Sequence, residues 1–224
     1  MANKNFIMSQ LVFKFPFKKK YYEQDFYVSS NNFSAYRLVE GWPNWPGKWV
    51  NVYGAKGSGK THLSKILEKK IDKLLVINEN QITNKTLEYL NELECLIIDN
   101  FQNNINQNLL YSIFNQSKQL ENYIVINSTL PINKIGISLQ DLKSRINSFV
   151  YVGIELPTDD LLMVIISKYF SDKQIEPNPK ITEYIIKNVE RSYEKMFKLL
   201  KDVDDLSLST GKSININLIK KALN

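Results

Sequence analysis

The stretch GAKGSGKT, from Gly54 to Thr61, constrains this 224-residue chain more than any other part of it. Gly54, Gly57 and Gly59 alternate with Ala55, Lys56 and Ser58, and a Lys60–Thr61 pair closes the run. A short apolar strand pattern, WVNVY (49–53), leads directly into it. After it, KTHLSKILEKKI places Leu63, Ile66, Leu67 and Ile71 at helical spacing. A tight glycine turn between strand and helix does not call for a lysine and a hydroxyl at its end. Inward-turned backbone N–H groups at a helix N-terminus do, because together they form a cradle for anions. The pattern G-x-x-x-x-G-K-[ST] is complete and in its proper setting, so a nucleotide-binding α/β domain is expected. Lys60 would reach the β- and γ-phosphates, and the Thr61 hydroxyl would ligate Mg²⁺. His62 adjoins the site, and packing or solvent is its expected role.

The second informative stretch is LIIDN, Leu96 to Asn100. Asp99 ends a continuous apolar strand, where an unpaired carboxylate is costly to desolvate, so a role at the magnesium is expected for it. Asn100 follows where an active ATPase has a second carboxylate. A carboxamide exchanges hydrogen bonds but cannot take a proton from water, so intrinsic hydrolysis is expected to be slow. One further charge stands out: Arg145 in LKSRI, near the end of a helix. It reads either as a surface arginine at that helix's C-terminal end or as an arginine finger aimed at a neighbour's γ-phosphate.

Apolar strands at 49–53, 74–78, 95–99, 123–127 and 149–156 alternate with amphipathic helices at 60–71, 83–93, 106–120 and 139–146. That alternation predicts a parallel sheet covered on both faces. Beyond Pro157 only helical patterns remain, at 159–171, 179–190, 192–208 and 215–223. The expected organisation is an extended arm (1–20), an α/β nucleotide domain (21–156) and a small all-helical lid (157–224). Pro16 excludes a helix through the arm.

At 43% hydrophobic and 23% charged the composition is globular. The single Cys95 excludes an internal disulfide framework and suits a reducing compartment. No segment approaches the ~20 apolar residues of a membrane span, so a soluble, cytoplasmic protein without membrane contact is expected. The net charge of +6 permits nucleic-acid contact, yet an Asn/Lys/Ile-rich chain acquires lysines without any such role.

Taken in order, the phosphate loop, IIDN, LKSRI and the helical lid resemble the AAA+ ATPases. More narrowly, the chain is similar to the Hda family, regulatory inactivators of the replication initiator DnaA. DFYVSSNNFSAY resembles the family segment that wraps adenine, and Asn100 after Asp99 resembles the Hda form of its strand. LPINKIGISLQDLKSRI is similar to the stretch ending in the family's arginine finger, which favours that role for Arg145. VERSYEKM (189–196) resembles the lid motif. QLVFKF (10–15) resembles the peptide by which Hda docks on the sliding clamp, with Gln10 hydrogen-bonding and Leu11, Phe13 and Phe15 entering an apolar groove. Without the family, an edge strand over the domain's own core is the simpler reading of that alternation.

The resemblance implies a clamp-tethered regulator that stimulates hydrolysis of DnaA-bound ATP and so prevents re-initiation. Its implied ligands are ADP or ATP with Mg²⁺, ADP being the expected resident. Its implied partners are DnaA and the clamp, with DNA reached indirectly and a homo-oligomer left open. Two departures bear on this. Glu194 or Lys195 stands where relatives place a lid arginine, with Arg191 a turn away, and Asn127 and Thr129 stand in the first sensor region. No DNA-binding helix-turn-helix follows residue 224, which sets the expectation that this is not the initiator itself. The alternative is a DnaA-like or helicase-loader ATPase.

Overall fold

The computed structural model describes residues 25–176 and 178–223. They form two compact units that meet at the Leu156–Pro157 bond.

In the first unit, five strands carry the apolar runs: β1 (Trp49–Gly54), β2 (Leu74–Asn78), β3 (Cys95–Phe101), β4 (Tyr123–Ser128) and β5 (Val150–Ile154). All are parallel, in the order β2-β3-β4-β1-β5. Their side chains alternate between the two faces; β1, β3 and β4 are largely buried on both, and the edge strands β2 and β5 are half-buried. Leu96 and Ile98 of β3 join one core, which α4 (Gln107–Gln119) and α5 (Gln140–Ile146) cover through Leu110, Phe114, Leu142 and Ile146. Cys95 and Ile97 join the other, against α1 (Phe33–Glu40) and α2 (Lys60–Leu67). α3 (Lys85–Tyr89) connects β2 and β3. Trp49, Phe114 and Phe149 pack ring against ring, with centroids 5.4–5.5 Å apart, and tie β1, α4 and the start of β5 together.

Expected and observed elements differ at particular places. The helix predicted over 83–93 is confined to Lys85–Tyr89. Thr83 and Thr86 bond reciprocally through backbone and hydroxyl, which makes a turn there instead of a helical start. The helix after the phosphate loop ends at Leu67, four residues early. α1 is a helix where no helix was expected.

The second unit is all helical: α6 (Asp159–Ser171), α7 (Pro179–Asn188), α8 (Tyr193–Thr210) and α9 (Ile216–Leu223). Leu162, Ile166, Phe170, Ile185, Met196 and Val203 form its core. Its helix starts are capped by side-chain oxygens that accept orphan amides: Thr158 from Leu161 N, Asn178 from Lys180 N and Ser192 from Lys195 N. Gly211, at φ 63°, closes α8 in the left-handed conformation that glycine adopts without strain. Among the described residues no helix is long and apolar enough to cross a membrane.

Candidate functional site

The carboxyl ends of β1, β3 and β4 gather the residues that the sequence singles out. β1 ends at Gly54, where a Cβ would lie 2.7 Å from the Ile154 carbonyl oxygen, so the chain can turn there only without a side chain. Gly57 and Gly59 have φ of 84° and 101°, a region that favours glycine. A Cβ on Gly59 would also meet the Phe26 ring at 2.9 Å. The loop therefore folds back onto the first turn of α2, with the Ser58 amide donating to the Ala55 carbonyl.

Lys60 lies along this loop. Its Nζ donates to the carbonyls of Gly54 at 2.7 Å and Ala55 at 3.0 Å, and to Ser58 Oγ at 3.4 Å. Burial lowers the pKa of this ammonium from the ordinary lysine value, and the Asp99 carboxylate opposes that effect. The charge thus stands inside the loop, where an anion seated on the amides would meet it.

Thr61 Oγ1 donates to Asp99 Oδ2 at 2.8 Å. The other carboxylate oxygen accepts from Asn127 Nδ2 at 3.0 Å and from the Asn100 amide at 3.0 Å. Asn127 is buried, and the same nitrogen lies 2.8 Å from Ser64 Oγ on α2. Asn127 therefore joins the phosphate-loop helix to the acidic strand. Asp99 is buried without being orphaned, as its position within an apolar strand that runs on to Phe101 requires.

Asn100 has a positive φ of 55°, and its Nδ2 donates to Asn78 Oδ1 at 2.9 Å. The next residues are held from beneath by Glu79, which is 7% exposed. Its two oxygens accept from the amides of Gln102 at 2.8 Å, Asn104 at 2.7 Å and Ile105 at 3.3 Å. Asn78 and Glu79 escape a sequence reading because they open a polar run, NENQ (78–81), at the end of β2, with no motif to mark either. Asn51, buried in the middle of β1, is a third such residue. It donates to the Ile126 carbonyl and Ser128 Oγ and accepts from the Ile132 amide, which fixes the turn after β4.

His62 meets the Phe26 ring edge to face at 5.4 Å, and Phe26 stacks on Tyr36 at 5.8 Å. Arg145 lies on α5, with its Nε donating to Asn115 Oδ1 of α4 at 2.9 Å. In the second unit Arg191 pairs with Asp159 at 2.9 Å, and the Lys195 amide is spent on the Ser192 cap. Gln10, Leu11, Phe13 and Phe15 lie outside the described residues.

The site fits a magnesium–nucleotide complex by the chemistry of its donors. A hydroxyl and a carboxylate converge beside a glycine loop that carries a half-buried ammonium. Among the described residues there is no cluster of three or more His, Cys, Asp or Glu that could hold a metal by itself. A Mg²⁺ there would take Thr61 and Asp99 together with phosphate oxygens and water.

No protein-family model matches the chain. In sequence it is 26% identical over 233 residues to the chromosomal replication initiator protein DnaA of Buchnera aphidicola, covering 92% of this chain and 53% of that protein. It thus spans about half the length of that initiator. In structure it matches domain III of DnaA from Thermotoga maritima with a TM-score of 0.78 and 20% identity, over 93% of this chain and 98% of that one.

The fold is that of the AAA+ domain of DnaA. The AMPPCP-bound DnaA of Aquifex aeolicus matches with a TM-score of 0.68 and 21% identity, over 87% of this chain and 68% of that one. The chain thus has the fold of DnaA domain III and a weak sequence similarity to DnaA.

Proposed function

We propose that this chain is an AAA+ regulator, tethered to the DNA polymerase sliding clamp, that stimulates hydrolysis of ATP bound to DnaA. The observation that carries the reading is Asn100. The phosphate loop, Lys60, Thr61 and Asp99 make a complete set for holding a nucleotide, yet the residue beside Asp99 is a carboxamide tied to Asn78. Such a group orients water but does not deprotonate it. A nucleotide held without turnover serves shape and partner contact.

In this reading Gly54 to Thr61 bind the phosphates of ADP or ATP, with Lys60 neutralising their charge. Asn127 and Thr61 keep the Asp99 carboxylate aimed at the metal site. Bound Mg²⁺ would screen the phosphate oxygens and fix their geometry. Catalysis takes place on the partner: Arg145 enters the ATP site of DnaA and stabilises the charge of the transferring phosphoryl group, an effect worth about 10³–10⁵ in rate. Gln10, Leu11, Phe13 and Phe15 hold the clamp, so the contact with DnaA follows clamp loading on DNA. Likeness to the DnaA fold supports this, because an AAA+ arginine finger works across an interface between like domains.

The test follows ATP hydrolysis by DnaA of the same organism with DNA-loaded clamp. The intact protein is expected to raise turnover, and Arg145→Ala and Gln10→Ala to abolish the rise. Unchanged DnaA turnover would sink the regulator reading. A second reading, a DnaA-like or helicase-loader ATPase, is favoured by the continuous Thr61–Asp99–Asn127 network, which an active site would keep. It predicts ATP turnover by the isolated protein.

A further inference from the structure

The direction in which Arg145 presents its charge is decided by one neighbour. Its Nε donates to Asn115 Oδ1 at 2.9 Å, across from α5 to α4. A guanidinium is planar, so an acceptor at Nε fixes the plane and the last torsions together. The two Nη groups make no hydrogen bond or ion pair among the described residues, which leaves the end-on fork presented.

Both ends of this contact rest on rigid ground. Next to Asn115, Phe114 is buried against the Trp49 and Phe149 rings, with centroids at 5.5 and 5.4 Å. Next to Arg145, Ile146 is buried, and three residues earlier so is Leu142. The Arg145 carbonyl accepts from Ser148 Oγ at 2.6 Å, which closes the helix end. The Asn115 Nδ2 is likewise without a partner among the described residues. A guanidinium fork left open in this way suits phosphate oxygens.

We propose that Asn115 is a positioning residue for Arg145: it holds the guanidinium plane so that the Nη fork meets the partner's terminal phosphate already oriented. This rests on the arginine-finger reading above. Without the acceptor, the arginine samples several rotamers and only a fraction of docked complexes is productive. Docking itself is unchanged, because Asn115 acts through Arg145.

The experiment measures DnaA ATP hydrolysis with DNA-loaded clamp as the full-length protein is titrated. It compares the parent with Asn115→Leu, Asn115→Ala, Arg145→Ala and the Asn115→Leu/Arg145→Ala double variant. Two truncations are used so that poor folding of one, seen by circular dichroism, does not end the test. Both Asn115 variants are expected to lower the maximal stimulated rate roughly ten- to hundredfold, with the half-saturating concentration unchanged. In the Arg145→Ala background, Asn115→Leu is expected to cost nothing further. A merely structural role would instead raise the half-saturating concentration, and that result overturns the proposal. Stimulation at the parent rate by both Asn115 variants overturns it too, while the finger reading survives if Arg145→Ala is inactive. If Arg145→Ala stimulates normally, the finger reading itself has failed.

Discussion

Glu79 offers the sharpest test of how the acidic side of the site is held in place. Its carboxylate receives three backbone amides, from Gln102, Asn104 and Ile105, two of them at 2.8 Å or less. Glu79→Gln keeps the shape and replaces one oxygen by an NH₂. If the amide oxygen stays on Asn104 and Ile105, the NH₂ faces the Gln102 N–H, donor against donor. A hydrogen bond to a charged acceptor is worth about 1.5–3 kcal/mol, and an unsatisfied buried group costs a similar amount. The remaining two bonds also weaken when the acceptor loses its charge. The expected destabilisation is therefore about 3 kcal/mol, which for a chain of this size lowers the melting temperature by roughly 6–12 °C. Thermal unfolding by circular dichroism measures the total. Hydrogen exchange at the amides of 102, 104 and 105 locates it, since protection should fall there first. Unchanged melting together with unchanged exchange at those three amides would refute the anchoring role of Glu79.

Asn127→Ala removes the link between Ser64 and Asp99, and should weaken Mg²⁺-dependent nucleotide affinity about tenfold while Mg²⁺-free affinity changes less; isothermal titration in both conditions checks this. In the second unit, Asp204 lies 2.6 Å from Lys173 and, after burial itself, is the main cause that pushes the Tyr169 phenol up to about 12. Asp204→Asn should bring that phenol down, read by ultraviolet titration. The raised phenol stays protonated in the folded state while the unfolded one ionises near 10, so stability of this unit should fall as pH rises from about 10 towards 12. Cys95 is fully buried, and burial pushes its thiol well above the ordinary range. It should resist alkylation at pH 8 in the native protein and react only on unfolding, which mass spectrometry after timed labelling detects.

Where continuous apolar runs specify structure, sequence and structure agree closely. β2 runs from Leu74 to Asn78 and α6 from Asp159 to Ser171, the bounds expected from pattern alone. A strand buried on both faces leaves no polar alternation to misread. α1 was missed because an eight-residue helix shows only one apolar triplet, Ala35, Leu38 and Val39, within a polar stretch. The phosphate loop was legible because its chemistry demands a fixed spacing, and so was Asp99. Asn78, Glu79 and Asn51 were not legible, since their partners, the Asn100 side chain for Asn78 and backbone groups for Glu79 and Asn51, are brought near only by the crossover order of the sheet. Arg145 could be noticed from spacing, but the hand that holds it, Asn115, lies thirty residues away on another helix.

The position of β4 between β1 and β3 sets the gauge of the whole site edge. Two inter-strand spacings separate the strand that leads into the phosphate loop from the strand that carries Asp99, a gap of about 9.5 Å. Thr61 crosses that gap from the overhang of α2, and Asn127 fills it from below. The two halves of the site are thus like jaws mounted on a common spacer. Any shift of β4 along its register would move both jaws, so the tolerance of the site is written into the ladder bonds of one strand.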